Sequence, residues 1–281
     1  MKAPRFHLVR PRDLAEALDR LAEPGGLVKV LAGGQSLGPM LNLRLVRPDL
    51  LVDVSGLPEL RRVGREDDAL VVGACVTHAD FEDGRAPDVG SGMLARVASG
   101  IAYRAVRNRG TIGGSLAHAD PAADWLSTLS AFGAEVEIAS RSGTRRTPIG
   151  AFVTGALATT LAPGELVVAV RIPQVSAQAR LGFVKHARKI GEFAHAIGAA
   201  LVDPERGVAR AVAGALDAAP LVIEDARELF DRSAGFDRTE AGRRLAAAGL
   251  ADTVDRHLHV EALGRALAEA FDAPPGLRRA A

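Results

Sequence analysis

The sequence has one cysteine, Cys75, in 281 residues. A lone thiol closes no intramolecular disulfide, and it cannot by itself hold a zinc ion or an iron–sulfur cluster. A reducing compartment suits such a chain. Net charge is also nearly absent: 35 Lys and Arg against 34 Asp and Glu leave a formal +1, so no global field draws the protein to nucleic acid or to an anionic membrane surface. The densest basic stretch, Arg104 to Arg109, is interrupted by apolar residues. No window reaches the roughly 18 uninterrupted apolar residues of a membrane span. The opening "MKAPRFHLVRPRDLAEALDRL" has no apolar signal core. The expected location is cytoplasmic, with no nucleic acid partner and no membrane span. Neither G-x-x-x-x-G-K-[ST] nor a G-x-G-x-x-G after a strand occurs, which disfavours a P-loop ATPase and a Rossmann dehydrogenase. No nucleophile–His–acid arrangement is evident, so no catalytic residue is assigned.

What is present is an ordinary globular balance, 48% hydrophobic and 25% charged, on a chain whose length suggests about two domains. Leu14, Leu18 and Leu21 have helical spacing behind Asp13 as N-cap, and Pro24-Gly25-Gly26 ends that helix. Leu27 to Ala32 reads as a short strand broken by Gly33-Gly34. A helix follows from Ser36 with Pro39 in its first turn, then a strand over Leu50 to Val54. Further on, the pattern gives a strand from Leu70 to Val76, a helix start near Thr77, and one helix from Met93 to Arg107. A helix opened by Asp120-Pro121 runs to Phe132, where Gly133 stops it. "AEVEIAS" and "RSGTRR" make a hairpin, and "GELVVAVRIP" is a strand ending at Pro173. The composition changes near residues 173–180. "VARAVAGAL" reads as a strand, residues 220–271 as several short helices, and "APPGLRRAA" as a loose tail.

Two stretches stand out, "VLAGGQSLGP" and, eighty residues later, "RGTIGGSLAHADPAAD". Each carries a Gly-Gly pair followed by small polar residues. Paired glycines permit positive φ and close backbone approach. Successive N–H groups can then line one concavity that takes an anion, and a helix starting at Ser36 would add its dipole. Two such nests face to face would grip a diphosphate from both sides. A tight turn alone would also explain each Gly-Gly pair. His257 and His259 form an H-x-H in a helical segment without a third ligand, so no metal is expected there.

"AGGQSLGPMLNLRLVRPDLLVDVSGLPEL" together with "RNRGTIGGSLAHADPAADW" closely resembles the FAD-binding medium subunit of the molybdenum hydroxylases, the family of the carbon monoxide dehydrogenase medium subunit and the xanthine dehydrogenase FAD domain. The resemblance implies an α+β fold: a PCMH-type (vanillyl-alcohol-oxidase-like) FAD-binding domain over 1–175, of two α/β subdomains (about 1–55 and 56–175). A small C-terminal sheet-and-helices domain of the CO dehydrogenase flavoprotein type follows over 176–281. It implies FAD as cofactor, with Ala32, Gly33, Gly34, Gln35 and Ser36 and Thr111, Ile112, Gly113, Gly114 and Ser115 at its pyrophosphate, and Lys29 and Leu37 flanking the first turn. Ile101, Leu161 and Phe193 would approach the flavin ring. Asp124 would take a cofactor hydroxyl, and Lys185 would stand at the pyrimidine edge, where a cation stabilises negative charge. Without the resemblance, Leu161 and Phe193 read as core residues, Lys185 as a solvated charge and Asp124 as a first-turn helix acid. Glu192 stands where the family usually has Asp, and Ser115 where some branches have Asn.

The implied role is electron transfer. A small partner subunit with two [2Fe–2S] clusters and a large molybdopterin subunit would deliver electrons through FAD to quinone, NAD⁺ or O₂, in a dimer of heterotrimers with some apolar face buried only in the complex. A stand-alone flavin oxidase of the same fold and a non-catalytic nucleotide-binding assembly protein are the alternatives.

Overall fold

A computed structural model describes residues 2–231 and 235–272; the tail "APPGLRRAA" lies outside them. The first fifty residues build a three-stranded parallel sheet from β1 (His7–Val9), α1 (Leu14–Leu21), β2 (Val28–Leu31), α2 (Leu37–Asn42) and β3 (Leu50–Asp53). The strand order is β1-β3-β2, with His7 and Val28 both opposite Leu50. Helix α1 starts where the pattern says: the Asp13 carboxylate accepts from the Glu16 N–H at 2.8 Å, and Ala17 and Leu18 are buried. Strand β1 went unseen in the sequence because three residues carry no period.

The middle of the chain forms β4 (Val63–Glu66), β5 (Ala69–Gly73), five helices α3 (His78–Glu82), α4 (Met93–Ser99), α5 (Arg104–Arg107), α6 (Ile112–His118) and α7 (Asp124–Phe132), then the hairpin β6 (Glu135–Ser140) and β7 (Gly143–Pro148). A short α8 (Ile149–Phe152), β8 (Val153–Gly155) and β9 (Ala158–Thr159) lead into β10 (Leu166–Pro173). These strands make an antiparallel sheet in the order β4-β5-β10-β6-β7. The last part is a meander of β11 (Arg180–His186), β12 (Ala196–Asp203), β13 (Val208–Gly214) and β14 (Leu221–Ile223), followed by α9 (Arg238–Ala247) and α10 (Thr253–Asp272). Gly182 and Gly198 let α10 lie directly on this sheet, since a Cβ at either would strike the α10 backbone at Ala266 or Ala262. The fold is therefore α+β, as expected.

Helix α7 organises the whole. All nine of its residues are buried, and its Trp125, Leu126, Leu129 and Phe132 join one core with Leu94, Ile112, Val170, Leu201 and Val212. Each such side chain contributes about 1.5–3 kcal/mol on full burial, so α7 is fixed between the middle sheet and the last one. A second core joins Leu18, Val52, Cys75 and Leu166, and seats the first sheet on the second.

Three expectations need correction. Asp120-Pro121 does not open α7. Asp120 instead accepts from the Ala122 N–H at 2.9 Å in a local turn, and the helix begins at Asp124 with Ala123 as N-cap. The stretch Met93 to Arg107 is two helices, parted at Gly100 to Tyr103, where Ala102 has φ of 42°. Residues 220–271 hold the strand β14 and two regular helices, one of 20 residues, rather than several short ones.

Candidate cofactor site

The two glycine stretches meet. A Cβ at Gly33 would collide with the Arg109 carbonyl and lie 2.9 Å from the Gly110 Cα, so only glycine lets the first turn approach the second. The Arg109 Nε donates to the Gly33 carbonyl at 3.3 Å, which ties the seam from the other side. A Cβ at Gly114 would come within 3.9 Å of the Ala32 methyl.

The two turns carry different equipment, however. In the first, Gly34 takes φ of 72°, and among the described residues no acceptor takes the N–H groups of Gly33, Gly34, Gln35 or Ser36. Ser36 precedes α2 without a side-chain capping bond. The second turn is the start of a helix. Its N–H groups are spent within the chain: Ile112 on the Val76 carbonyl, Gly113 on Ala74, Gly114 on the Thr111 Oγ1 at 3.1 Å, and Ser115 on the Thr111 carbonyl. Its glycines serve close approach, because a Cβ at Gly113 would enter Ala74. The expectation of two equivalent nests is thus corrected. One open row of amides faces a helix start that offers the Thr111 and Ser115 hydroxyls.

The residues expected elsewhere around the cofactor fall into two groups. Lys185 donates to Asp124 Oδ2 at 2.9 Å, which joins the end of β11 to the start of α7. The other carboxylate oxygen, Asp124 Oδ1, is buried without a partner. Burial pushes the Asp124 carboxyl above its ordinary value, and Lys185 pulls it partly back. A desolvated carboxylate with an unused acceptor is suited to a hydroxyl donor. Trp125, the next residue, donates from Nε1 to His78 Nδ1 at 2.9 Å, and the His78 N–H donates to the Gly110 carbonyl at 2.9 Å. Asp124 is therefore held in register with the second turn through the core. His78 sits under that turn as a neutral imidazole, lowered by burial to about 4 with the Arg107 charge adding. His78 is the first residue of α3 and also a prop for Gly110.

The second group is looser. Ile101 and Leu161 are half-buried against the main core. Phe193 is 71% exposed, on the loop between β11 and β12 rather than in the core. That loop runs close beside Ala102 and Tyr103, since a Cβ at Gly191 would lie 3.0 Å from the Ala102 carbonyl and the Tyr103 ring. Lys29 lies exposed on the edge strand β2, and Leu37 opens α2. His259 is buried with both ring nitrogens at carbonyl oxygens, Asp255 at 2.8 Å and Ala215 at 3.3 Å. Among the described residues no group of three metal-ligating side chains occurs, and no helix is long and apolar enough to cross a membrane.

An open amide row at a glycine seam suits an anionic group such as phosphate, and the partnerless buried oxygen of Asp124 suits a hydroxyl donor. Known proteins agree with that class. Residues 4–175 match the family described as the FAD binding domain in molybdopterin dehydrogenase, and the chain belongs to that family. It is 38% identical over 194 residues to the 6-hydroxypseudooxynicotine dehydrogenase complex subunit alpha of Paenarthrobacter nicotinovorans, a stretch spanning 69% of this chain and 66% of that one. It is 35% identical over 207 residues to the carbon monoxide dehydrogenase medium chain of Hydrogenophaga pseudoflava, covering 74% and 72%. A solved carbon monoxide dehydrogenase from the same organism superposes with a TM-score of 0.85 at 30% identity, over 96% of this chain and 99% of that one. The protein is an FAD-binding subunit of the molybdenum hydroxylase dehydrogenases.

Proposed function

We propose that this chain carries electrons, through FAD, from the [2Fe–2S] clusters of a small partner subunit to an external acceptor, while a large molybdopterin subunit oxidises the substrate. The observation that carries the reading is the row of four acceptorless N–H groups, Gly33 to Ser36, at the seam with the second turn. Bound FAD would supply the exchange of single electrons for a pair, and the protein's task is to hold and tune it. Gly33, Gly34, Gln35 and Ser36 would take the diphosphate from one side, and the Thr111 and Ser115 hydroxyls from the other, with Ala32, Ile112, Gly113 and Gly114 shaping the seam. Lys29 and Leu37 would flank the first turn. Asp124 Oδ1 would accept from a cofactor hydroxyl, and Lys185, already oriented by that carboxylate, would present its charge at the pyrimidine edge. Ile101, Leu161 and Phe193 would cover the ring, and the exposure of Phe193 leaves it free to do so.

One cysteine leaves no place for a cluster on this chain, so the clusters belong to a partner. Leu43, Leu45 and Ile190, the last 90% exposed, are apolar side chains that a complex would cover. The assembly would be a dimer of heterotrimers in the cytoplasm, and the chain would divide near residue 175 into the FAD-binding domain and the small C-terminal domain. The test is reconstitution with the two candidate partner subunits. Substrate should bleach the flavin's visible absorbance in the complex and leave it unchanged in the isolated chain. Bleaching of the isolated chain by substrate would favour a stand-alone oxidase instead.

A further inference from the structure

The stretch "RAVRNR" places three arginines within six residues, and their fates differ. Arg104 is neutralised by Glu82 and Asp83, at 2.8 and 2.6 Å. Arg107 makes a bidentate pair with Glu82 and donates to the Ile101 and Ala102 carbonyls, so it fastens α5 to α3. Arg109 has no carboxylate partner among the described residues. Its one bond is from Nε to the Gly33 carbonyl at 3.3 Å, and its two terminal nitrogens donate to nothing within the described chain. Its backbone carbonyl is the atom against which Gly33 packs. The exposed guanidinium is therefore tied to the seam by Nε alone, at the first residue of the open amide row, while its terminal nitrogens are unspent among the described residues.

A diphosphate carries formal negative charge, yet the other donors within the two turns themselves, backbone amides and hydroxyls, are neutral, and Lys29 stands back on the preceding strand. We infer that Arg109 supplies the cationic contact to the cofactor's diphosphate, its guanidinium aimed across the seam by the Gly33 carbonyl. The inference rests on the FAD reading above and adds a residue to it. Arginine suits the place because one edge of its planar fork can hold the protein carbonyl while the other meets phosphate oxygens.

The test compares the purified 281-residue chain with Arg109→Gln and Arg109→Lys. Binding of FAD and of riboflavin, which lacks the diphosphate, is followed by flavin fluorescence and by the emission of the sole tryptophan, Trp125. Thermal melts confirm that both variants are folded. Arg109→Gln should weaken FAD about tenfold or more, the scale of a charge-assisted hydrogen bond, and leave riboflavin unchanged. Arg109→Lys, with the charge but not the fork, should fall between. FAD affinity should drop with ionic strength in the wild type, and less steeply in Arg109→Gln. Unchanged FAD affinity in folded Arg109→Gln, or equal losses for FAD and riboflavin, would overturn the inference and leave the FAD reading standing. A wild-type chain that bound no flavin, even when co-expressed with the partner subunits, would overturn both.

Discussion

Gly33→Ala is the sharpest single perturbation of the seam. The added methyl would lie 2.7 Å from the Arg109 carbonyl carbon and 2.9 Å from the Gly110 Cα, where ordinary contact begins at 3.4 Å. These obstacles, and the nearer Arg109 carbonyl oxygen, are backbone, so no rotamer change relieves them, and the two turns must part by on the order of an ångström. Overpacking of this kind costs about 1–3 kcal/mol, and at roughly 2–4 °C per kcal/mol for a chain of this size the melting temperature should fall by several degrees. The parted seam also lengthens at least one charged hydrogen bond to the diphosphate, so FAD should bind about tenfold to a hundredfold more weakly. Gly38→Ala is the control. It lies in α2, five residues on, and its Cβ would meet nothing within 4 Å, so helix propensity should leave stability equal or raise it by up to about 1 kcal/mol. Differential scanning fluorimetry and FAD titration read both effects. Wild-type melting and FAD affinity in Gly33→Ala would refute the seam as the reason for this glycine.

Other outcomes follow from the buried titratable groups. Burial raises Asp124, so its contribution to stability is complete below the unfolded value near 3.8 and is lost as pH rises through the folded value. Asp124→Asn should flatten that part of the pH–stability profile in denaturant melts while weakening FAD, and an unaltered profile would argue against a desolvated carboxylate. His78 is lowered from 6.5 to about 4, so the unfolded chain takes the proton first. Stability should be full above pH 6.5 and decline towards pH 4, by about 3 kcal/mol at most, as read by Trp125 emission. His78→Asn, which keeps an acceptor for Trp125, should lose that decline. Cys75 is buried and raised to about 11 by desolvation, so a thiol reagent at mildly alkaline pH should label it only after denaturant is added.

The Gly33-Gly34 pair was legible as a break between a strand and a helix, and α1 was legible through its cap and spacing. The sequence misread the second turn. "TIGGS" looks like a loop until Thr111 is seen to cap α6 and spend the Gly114 N–H, a bond invisible in a linear pattern. Asp120-Pro121 carried a strong helix-opening signal, yet the turn held by Asp120 won, and Asp124 became the first helical residue. Strands β11 and β12 escaped notice because β12 is buried along its whole length and so does not alternate. The Asp124–Lys185 pair and the Arg109–Gly33 tie join residues 61 and 76 positions apart, and no local period reports such contacts.

The most direct test is an FAD titration of the purified chain beside a Gly33→Val, Gly114→Val double variant, followed by flavin absorbance and fluorescence. Valine at these positions would drive the first turn off Arg109 and Gly110 and crowd the Thr111 hydroxyl that caps α6. Saturable binding of one FAD per wild-type chain, lost in the variant, is the predicted result. An absence of bound flavin in the wild type, even when the partner subunits are co-expressed, would contradict the account.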